Sequence, residues 1–388
     1  MKKVLFIMHT MGFGGAERSL VNLLQELPFE EYKVDLLLFQ KKGALLSQLP
    51  EWVNVVESPQ GLNMLYAPVS KAGRLMPVKL IGTGWARLAR RTPKGRAAFR
   101  WKHAYRRWIE HIPGSYDVAV AYGGGELLYL LVDRVSAKRK LAWIHTDYKM
   151  GRYSAKDDLS YLEKMDAIVS ISEQCVQALR EAFPELRSKM HCIENITSST
   201  VIRRLAGTKL PEEFRRDECN ILSVGRLNPV KGYDMAIEAA RILKDQGLKF
   251  RWFVLGEGFL RTELEMQIRE KGLSDSFFLL GARVNPYPYI RHCTFLVQSS
   301  RYEGKSVALD EAKILGAPII ATAYPTVVDQ IHEGAEGIIA EMSPQGIAEA
   351  VSKMIRDSAL RENIRKYLLE REYGNQNEVV KYENLLNG

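Results

Sequence analysis

The strongest constraint on this chain is an alternation of short apolar runs with amphipathic helical stretches, and it starts twice. In the first half the runs 4–8, 34–39, 52–56, 118–121, 141–144 and 167–171 read as strands, and an amphipathic helix at about 16–27 follows the first of them. The pattern restarts at 220–224, passes through a helix near 234–244, and adds runs at 251–255, 277–280, 295–298, 318–321 and 337–340. Short strands that are apolar almost throughout, separated by helices, imply parallel sheets covered on both faces. Two starts predict an α/β protein of two Rossmann-like domains, joined in the polar stretch 195–217. A length of 388 residues points the same way. After Gln345 the chain reads as helix only, and no internal repeat or low-complexity tract interrupts it.

With 46% hydrophobic and 26% charged residues, the chain can build packed cores. No apolar run approaches the roughly 18 residues that cross a membrane. Met1-Lys2-Lys3 and the apolar run after it imitate a signal peptide briefly, but His9 and a glycine-rich loop cut the run short, so secretion is not expected. Four cysteines (Cys175, Cys192, Cys219 and Cys293) lack both CxxC pairing and metal-ligand spacing, which suits core thiols in a reducing cytoplasm.

The net charge of +9 is concentrated in one place. Residues 61–112 hold twelve Lys or Arg against a single acid, Glu110, which leaves the rest of the chain slightly acidic. Trp85, Phe99, Trp101, Tyr105 and Trp108 are interleaved with these cations, and Trp101, Tyr105, Trp108 and Ile112 recur at helical spacing. Cations around an aromatic stripe suit an anionic membrane surface. The same stripe suits a protein core with solvated charges around it, and both readings stand. No recognised nucleic-acid motif accompanies the charge, so nucleic acid is not an expected partner.

In open parallel sheets ligands bind beyond the carboxyl ends of the strands, so the loops after each strand are where chemistry is sought. The first is His9-Thr10-Met11-Gly12-Phe13-Gly14-Gly15-Ala16-Glu17. Its glycines allow positive φ and close backbone approach, and the next helix offers its amide-rich end to an anion. It has neither the G-x-G-x-x-G fingerprint nor the Lys-Ser/Thr ending of a P-loop, and a plain tight turn is the alternative reading. In the second half, 220–224 leads into Gly225-Arg226-Leu227-Asn228-Pro229-Val230-Lys231-Gly232. A guanidinium fork and an ammonium at the mouth of a strand form a sensible diphosphate clamp, although both side chains are of types usually found on the surface. Beyond 295–298 come Glu303 and, past a helix start near Ser306, Glu311. The free amides at that helix start face the strand mouth.

Together these pieces resemble the family 4 glycosyltransferases, in particular those of bacterial surface-polysaccharide synthesis. Ser223-Val224-Gly225-Arg226-Leu227 with Pro229 and Lys231-Gly232 is similar to that family's diphosphate-binding motif, and Glu303 and Glu311 to its E-x7-E motif. Val254-Leu255-Gly256-Glu257-Gly258 and Leu280-Gly281 fall in the matching order. The resemblance is strongest over 220–340. It implies the GT-B architecture, two Rossmann-like domains with parallel sheets facing a central cleft. Residues 1–198 become the acceptor-binding domain and 199–370 the nucleotide-sugar domain, with 371–388 a helix returning to the first.

By the same resemblance Arg226 and Lys231 neutralise the donor diphosphate, and Glu311 binds the ribose. Glu303 lies by the donor sugar, and the amides of Gly304, Lys305, Ser306 and Val307 touch sugar and phosphate. The base sits by Arg283 and Val284, Gly14 and Gly15 approach the donor, and His145 lies near sugar and acceptor. Lys305-Ser306 departs from the Phe-Gly pair common at this point, where the donor sugar is read. The implied activity is retaining transfer of a hexose or N-acetylhexosamine from a nucleotide sugar, with uridine as the expected base. The implied acceptor is a polyprenyl-diphosphate-linked or growing glycan at the inner face of the membrane. No Asp-x-Asp triplet occurs, so neither a metal nor a cofactor is expected. A nucleotide-sugar epimerase and a non-catalytic subunit are the alternatives. The intact clamp and E-x7-E pair weigh against both, and the missing dinucleotide fingerprint weighs against a nicotinamide dehydrogenase.

Overall fold

The structure, a computed structural model, describes every residue except Phe13, Arg91, Asp147, Met150, Arg152 and Gly304. The chain divides into two compact units, Met1–Ile196 with Asn377–Gly388, and Thr197–Gln376. The first contains β1 (Lys2–Met8), β2 (Tyr32–Leu38), β3 (Asn54–Val56), β4 (Tyr116–Ala121), β5 (Ala137–Ile144), β6 (Ala167–Ser170) and β7 (Met190–Cys192). They form one parallel sheet in the order β3-β2-β1-β4-β5-β6-β7. The second contains β8 (Asn220–Val224), β9 (Arg251–Leu255), β10 (Phe277–Gly281), β11 (Phe295–Gln298), β12 (Ile319–Thr322) and β13 (Gly337–Ala340), parallel in the order β10-β9-β8-β11-β12-β13.

Apolar runs without alternation arise because each strand feeds two cores. In β1, Leu5 and Ile7 enter one buried cluster, while Val4, Phe6 and Met8 enter the cluster on the opposite face. In β8, Ile221 and Leu222 divide in the same way. Strand order reverses between β1 and β4 in one sheet and between β8 and β11 in the other. These are the points where an open parallel sheet leaves a crevice at its carboxyl edge. β7 escaped the sequence reading because Met190-His191-Cys192 offers no apolar run and His191 is exposed.

The basic segment between β3 and β4 folds as helices Gln60–Tyr66, Met76–Ala89 and Arg96–Arg100, followed by a π turn at Trp101–Tyr105 and a 3-10 turn at Arg106–Trp108. The expected aromatic stripe is core: Trp101, Tyr105 and Ile112 are buried beside Leu62 and Leu128. Trp108 is not part of it and stands about half exposed. The wide π turn and the tight turn after it break the 3.6-residue spacing on which the stripe depended.

The boundaries expected at 198 and 370 move to 196 and 376. Residues 371–376 stay with the second unit, where the Thr197 amide donates to Asn375 Oδ1 at 2.7 Å and the Asn375 amide donates back to the Thr197 carbonyl at 3.1 Å. Helix Val379–Asn387 packs on the first unit. Its Tyr382 ring stacks on Trp143 at 4.5 Å, and its hydroxyl donates to the Glu194 carbonyl at 2.9 Å. Tyr382→Ala deletes this buried ring, so it is expected to destabilise the first unit by about 3–4 kcal/mol. Chemical denaturation followed through tryptophan fluorescence checks this; a loss below about 1 kcal/mol would contradict a packing role for the helix.

Candidate functional site

In the second unit the two loops at the point of strand reversal follow β8 and β11. After β8 the chain runs through Arg226, and then a 3-10 turn at Pro229–Lys231 is capped by Asn228, whose Oδ1 accepts from the Lys231 amide at 3.2 Å. Gly232 closes the turn with φ of 63°, and a Cβ on it would meet the Ser299 carbonyl oxygen at 2.0 Å. Only glycine lets the two loops lie this close. Ser299 Oγ also donates to the Lys231 carbonyl at 2.8 Å.

This approach brings Lys231 onto Glu303. The ammonium donates to Glu303 Oε1 at 2.6 Å, and Ser300 Oγ donates to the same oxygen at 2.6 Å. The Glu303 carbonyl accepts from Thr326 Oγ1 at 2.8 Å, which pins the backbone below the carboxylate. Arg226, on the first of these loops, is exposed and has no carboxylate within ion-pair reach among the described residues. A held ammonium and an unengaged guanidinium on one strand-mouth loop suit a dianionic group.

The remaining expected residues divide. Glu311 is buried on helix Val307–Ile314, so it is not a solvated helical residue. Val307 opens that helix, and its amide is among the first-turn donors without an intrahelical acceptor. Ser306 corrects the expectation that it donates to a ligand. It is buried, its amide donates to Gln330 Oε1 at 2.7 Å, and its hydroxyl donates to Gln298 Oε1 at 2.7 Å. Lys305 is exposed, and Gly304 lies outside the described residues. Arg283 is already committed, donating to Glu213 from the segment before β8 at 2.9 Å and to the Leu280 carbonyl at 2.8 Å, while Val284 beside it is partly exposed. Gln330 and Ser300 went unread because neither lies in a motif: one is 24 residues beyond Ser306, and the other passes for an ordinary loop serine.

In the first unit the loops after β1 and β4 border a cavity of about 330 Å³ lined by His9, Glu17, Tyr122, Glu126, His145 and Tyr153 among others. Gly14 caps helix Gly15–Glu26 with φ of −79°, and neither it nor Gly15 uses the positive φ open to glycine. A Cβ on Gly14 would meet only the movable end of the Glu17 side chain, and Gly15 has open space. At the cavity wall Arg100 donates to the buried Glu126 at 2.7 Å. Gly123-Gly124-Gly125-Glu126 directly after a strand was the overlooked signal for this acid.

His145 follows β5 and packs 4.5 Å from the Tyr122 ring. Burial pushes its pKa down to about 3, against a smaller upward effect of Asn195 nearby, so the imidazole is neutral at physiological pH. Neither ring nitrogen makes a well-aligned hydrogen bond among the described residues. A neutral imidazole can accept or donate one hydrogen bond at the cavity but contributes no charge. Among the described residues no three His, Cys, Asp or Glu side chains gather as a metal site.

Residues 209–371, which lie within the second unit, match the family model of glycosyl transferases group 1. A similar relative is the amylovoran biosynthesis glycosyltransferase AmsK of Erwinia amylovora, 34% identical over 37% of this chain and 39% of its own. Another is the N-acetylgalactosamine-N,N'-diacetylbacillosaminyl-diphospho-undecaprenol 4-alpha-N-acetylgalactosaminyltransferase of Campylobacter jejuni, 31% identical over 40% and 42% of the two chains. The chain spans less than half the length of these curated relatives. Among solved structures, Anabaena Alr3699/HepE in complex with UDP and glucose superposes with a TM-score of 0.66 over 100% of both chains at 16% identity. The two chains therefore share a fold.

A base whose pKa falls on folding binds fewer protons in the folded state between its two pKa values, so stability is full above the unfolded value and declines as pH falls. For His145 that window runs from about 6.5 down to about 3. The wild type is expected to lose about 2 kcal/mol more than His145→Gln between pH 7 and pH 5, at about 1.4 kcal/mol per pH unit below 6.5. Urea denaturation at the two pH values measures it, and parallel losses in both proteins would refute the buried neutral imidazole.

Proposed function

We propose that this protein is a retaining glycosyltransferase that moves a hexose or N-acetylhexosamine from a UDP-sugar to a lipid-linked or growing glycan in cell-surface polysaccharide synthesis. The observation that carries the reading is the meeting of Lys231 and Glu303 across the two loops where the second sheet reverses, with Arg226 exposed on the first of them. The group 1 match over the same unit supports it, as do the relatives acting in polysaccharide and undecaprenol-linked glycan synthesis.

Breaking a glycosyl–phosphate bond leaves negative charge on the diphosphate and positive character on the sugar. Cations already aimed at the developing charge are usually the largest catalytic contribution. Arg226 and Lys231 fill that role in this proposal, and the first-turn amides at Val307 add to it. Lys231 passes from Glu303 alone to a position shared between Glu303 and the phosphate, which leaves the carboxylate facing the sugar. The acceptor hydroxyl attacks the face from which the diphosphate leaves, and its proton goes to a phosphate oxygen, so anomeric configuration is kept without a side-chain nucleophile. Two protein cations take the place a divalent ion would otherwise occupy, and the proposed reaction needs no metal. Nucleotide sugars are cytoplasmic, so the reaction is placed at the inner face of the membrane.

Calorimetric titration tests the donor site. UDP is expected to bind without metal and more tightly than GDP, and Lys231→Ala to weaken it 10- to 100-fold, the worth of one hydrogen bond to a charged group. No binding of either nucleotide would overturn the donor site and return the non-catalytic reading. With a competent acceptor, EDTA and Mn²⁺ are each expected to change turnover less than twofold; dependence on the ion would refute the metal-free mechanism.

A further inference from the structure

Helix Met76–Ala89 buries one narrow row and leaves the rest of its surface apolar and uncovered. Gly82 and Ala86 face inward, and a Cβ on Gly82 would stand 2.7 Å from that of Ala104. Turned outward are Met76, Leu80, Ile81, Trp85 and Leu88, with Ile81 68% and Leu88 84% exposed. Soluble proteins rarely leave such a contiguous patch uncovered without a partner for it.

The segment that carries this helix is rich in exposed cations. Lys71, Arg74, Arg87, Arg106 and Arg107 have no carboxylate within ion-pair distance among the described residues. At one edge the Trp85 ring lies 5.5 Å from that of His103. His103 in turn borders a cavity of about 340 Å³ lined also by Lys102, Arg106, Asp133, Tyr161 and Lys164. Its one acid, Asp133, accepts from Trp101 Nε1 at 2.8 Å and from the Tyr161 hydroxyl at 3.4 Å, so two donors already offset that charge.

We propose that the outer face of helix Met76–Ala89 lies in the interfacial layer of an anionic membrane, with the Lys102–Arg106–Lys164 cavity beside it receiving lipid phosphate. Charge complementarity selects this occupant: a segment with twelve cations and one acid is attracted to anionic lipid and repels a second copy of itself. No helix among the described residues is long and apolar enough to cross a membrane, so this one lies along the surface. The next helix, Arg96–Arg100, places Ala97 and Ala98 in the wall of the 330 Å³ cavity, so the docked face and that cavity belong to one continuous segment. The inference deepens the inner-membrane clause proposed above and rests on it for its purpose. Vesicle binding is read without any sugar transfer, so the two fail separately.

The full chain is sedimented with vesicles of phosphatidylglycerol and phosphatidylcholine, or of phosphatidylcholine alone, at low salt. At least tenfold preference for the anionic vesicles is expected. Ile81→Asp with Leu88→Asp, and separately Arg106→Glu with Lys164→Glu, are each expected to lose at least tenfold. All four positions are exposed, so the thermal midpoint should stay within 2 °C. Trp85→Phe is expected to remove most of the fluorescence blue shift on vesicle addition. Equal binding to both vesicle types, or anionic binding that both double variants retain, would overturn the proposal. A dimer that Ile81→Asp with Leu88→Asp dissolves would overturn it in favour of a second copy.

Discussion

Everything in this molecule depends on the demand that a parallel sheet be covered on both faces. Its strands cannot be joined by tight hairpins, so most connections cross a face as a helix, and the apolar strand residues divide between two cores. Leu5 and Ile7 on one side and Val4, Phe6 and Met8 on the other illustrate this in the first sheet. Once both faces are filled, polar chemistry has room only at the strand ends. The change of winding direction between β1 and β4, and between β8 and β11, selects which ends.

At the second of these reversals the chain sets opposite charges against each other. Lys231 and Glu303 are 2.6 Å apart and partly shielded, with Ser300 and Thr326 holding the glutamate loop. An ammonium already neutralised by a carboxylate can take on a phosphate without having been a bare cation beforehand. Arg226 supplies the second charge from the solvent side. In the first unit Arg100 and Glu126 form a similar pair at a cavity wall, and there the neutral His145 provides a polar group without adding charge.

The basic segment between β3 and β4 performs two tasks that its composition blends together. Trp101 and Tyr105 are core, and Trp101 anchors on Asp133. The neighbouring helix keeps its large apolar side chains outside. Aromatic content alone does not separate these, since the decision lies in which face of each helix meets the sheet.

The apolar runs, their spacing and the two starts made the two-sheet architecture legible, because a buried parallel strand has a composition that few other structures share. β7 was lost since three residues with an exposed histidine carry no such mark. Lys231 and Glu303 were legible as strand-mouth residues, but they lie 72 residues apart, and only the adjacency of β8 and β11 decided that they touch. Ser306 was misread because Gln330, remote in sequence, claims its amide. Trp108 fell outside the aromatic stripe because a π turn altered the helical period beneath it. Sequence by itself determined most of the strands, the sheet type and the residues available at the strand ends, all of which follow from local periodicity. Tertiary structure alone decided which of those residues meet, which donors are already spent, and which apolar faces stay bare, because these depend on contacts between distant segments that no local pattern encodes.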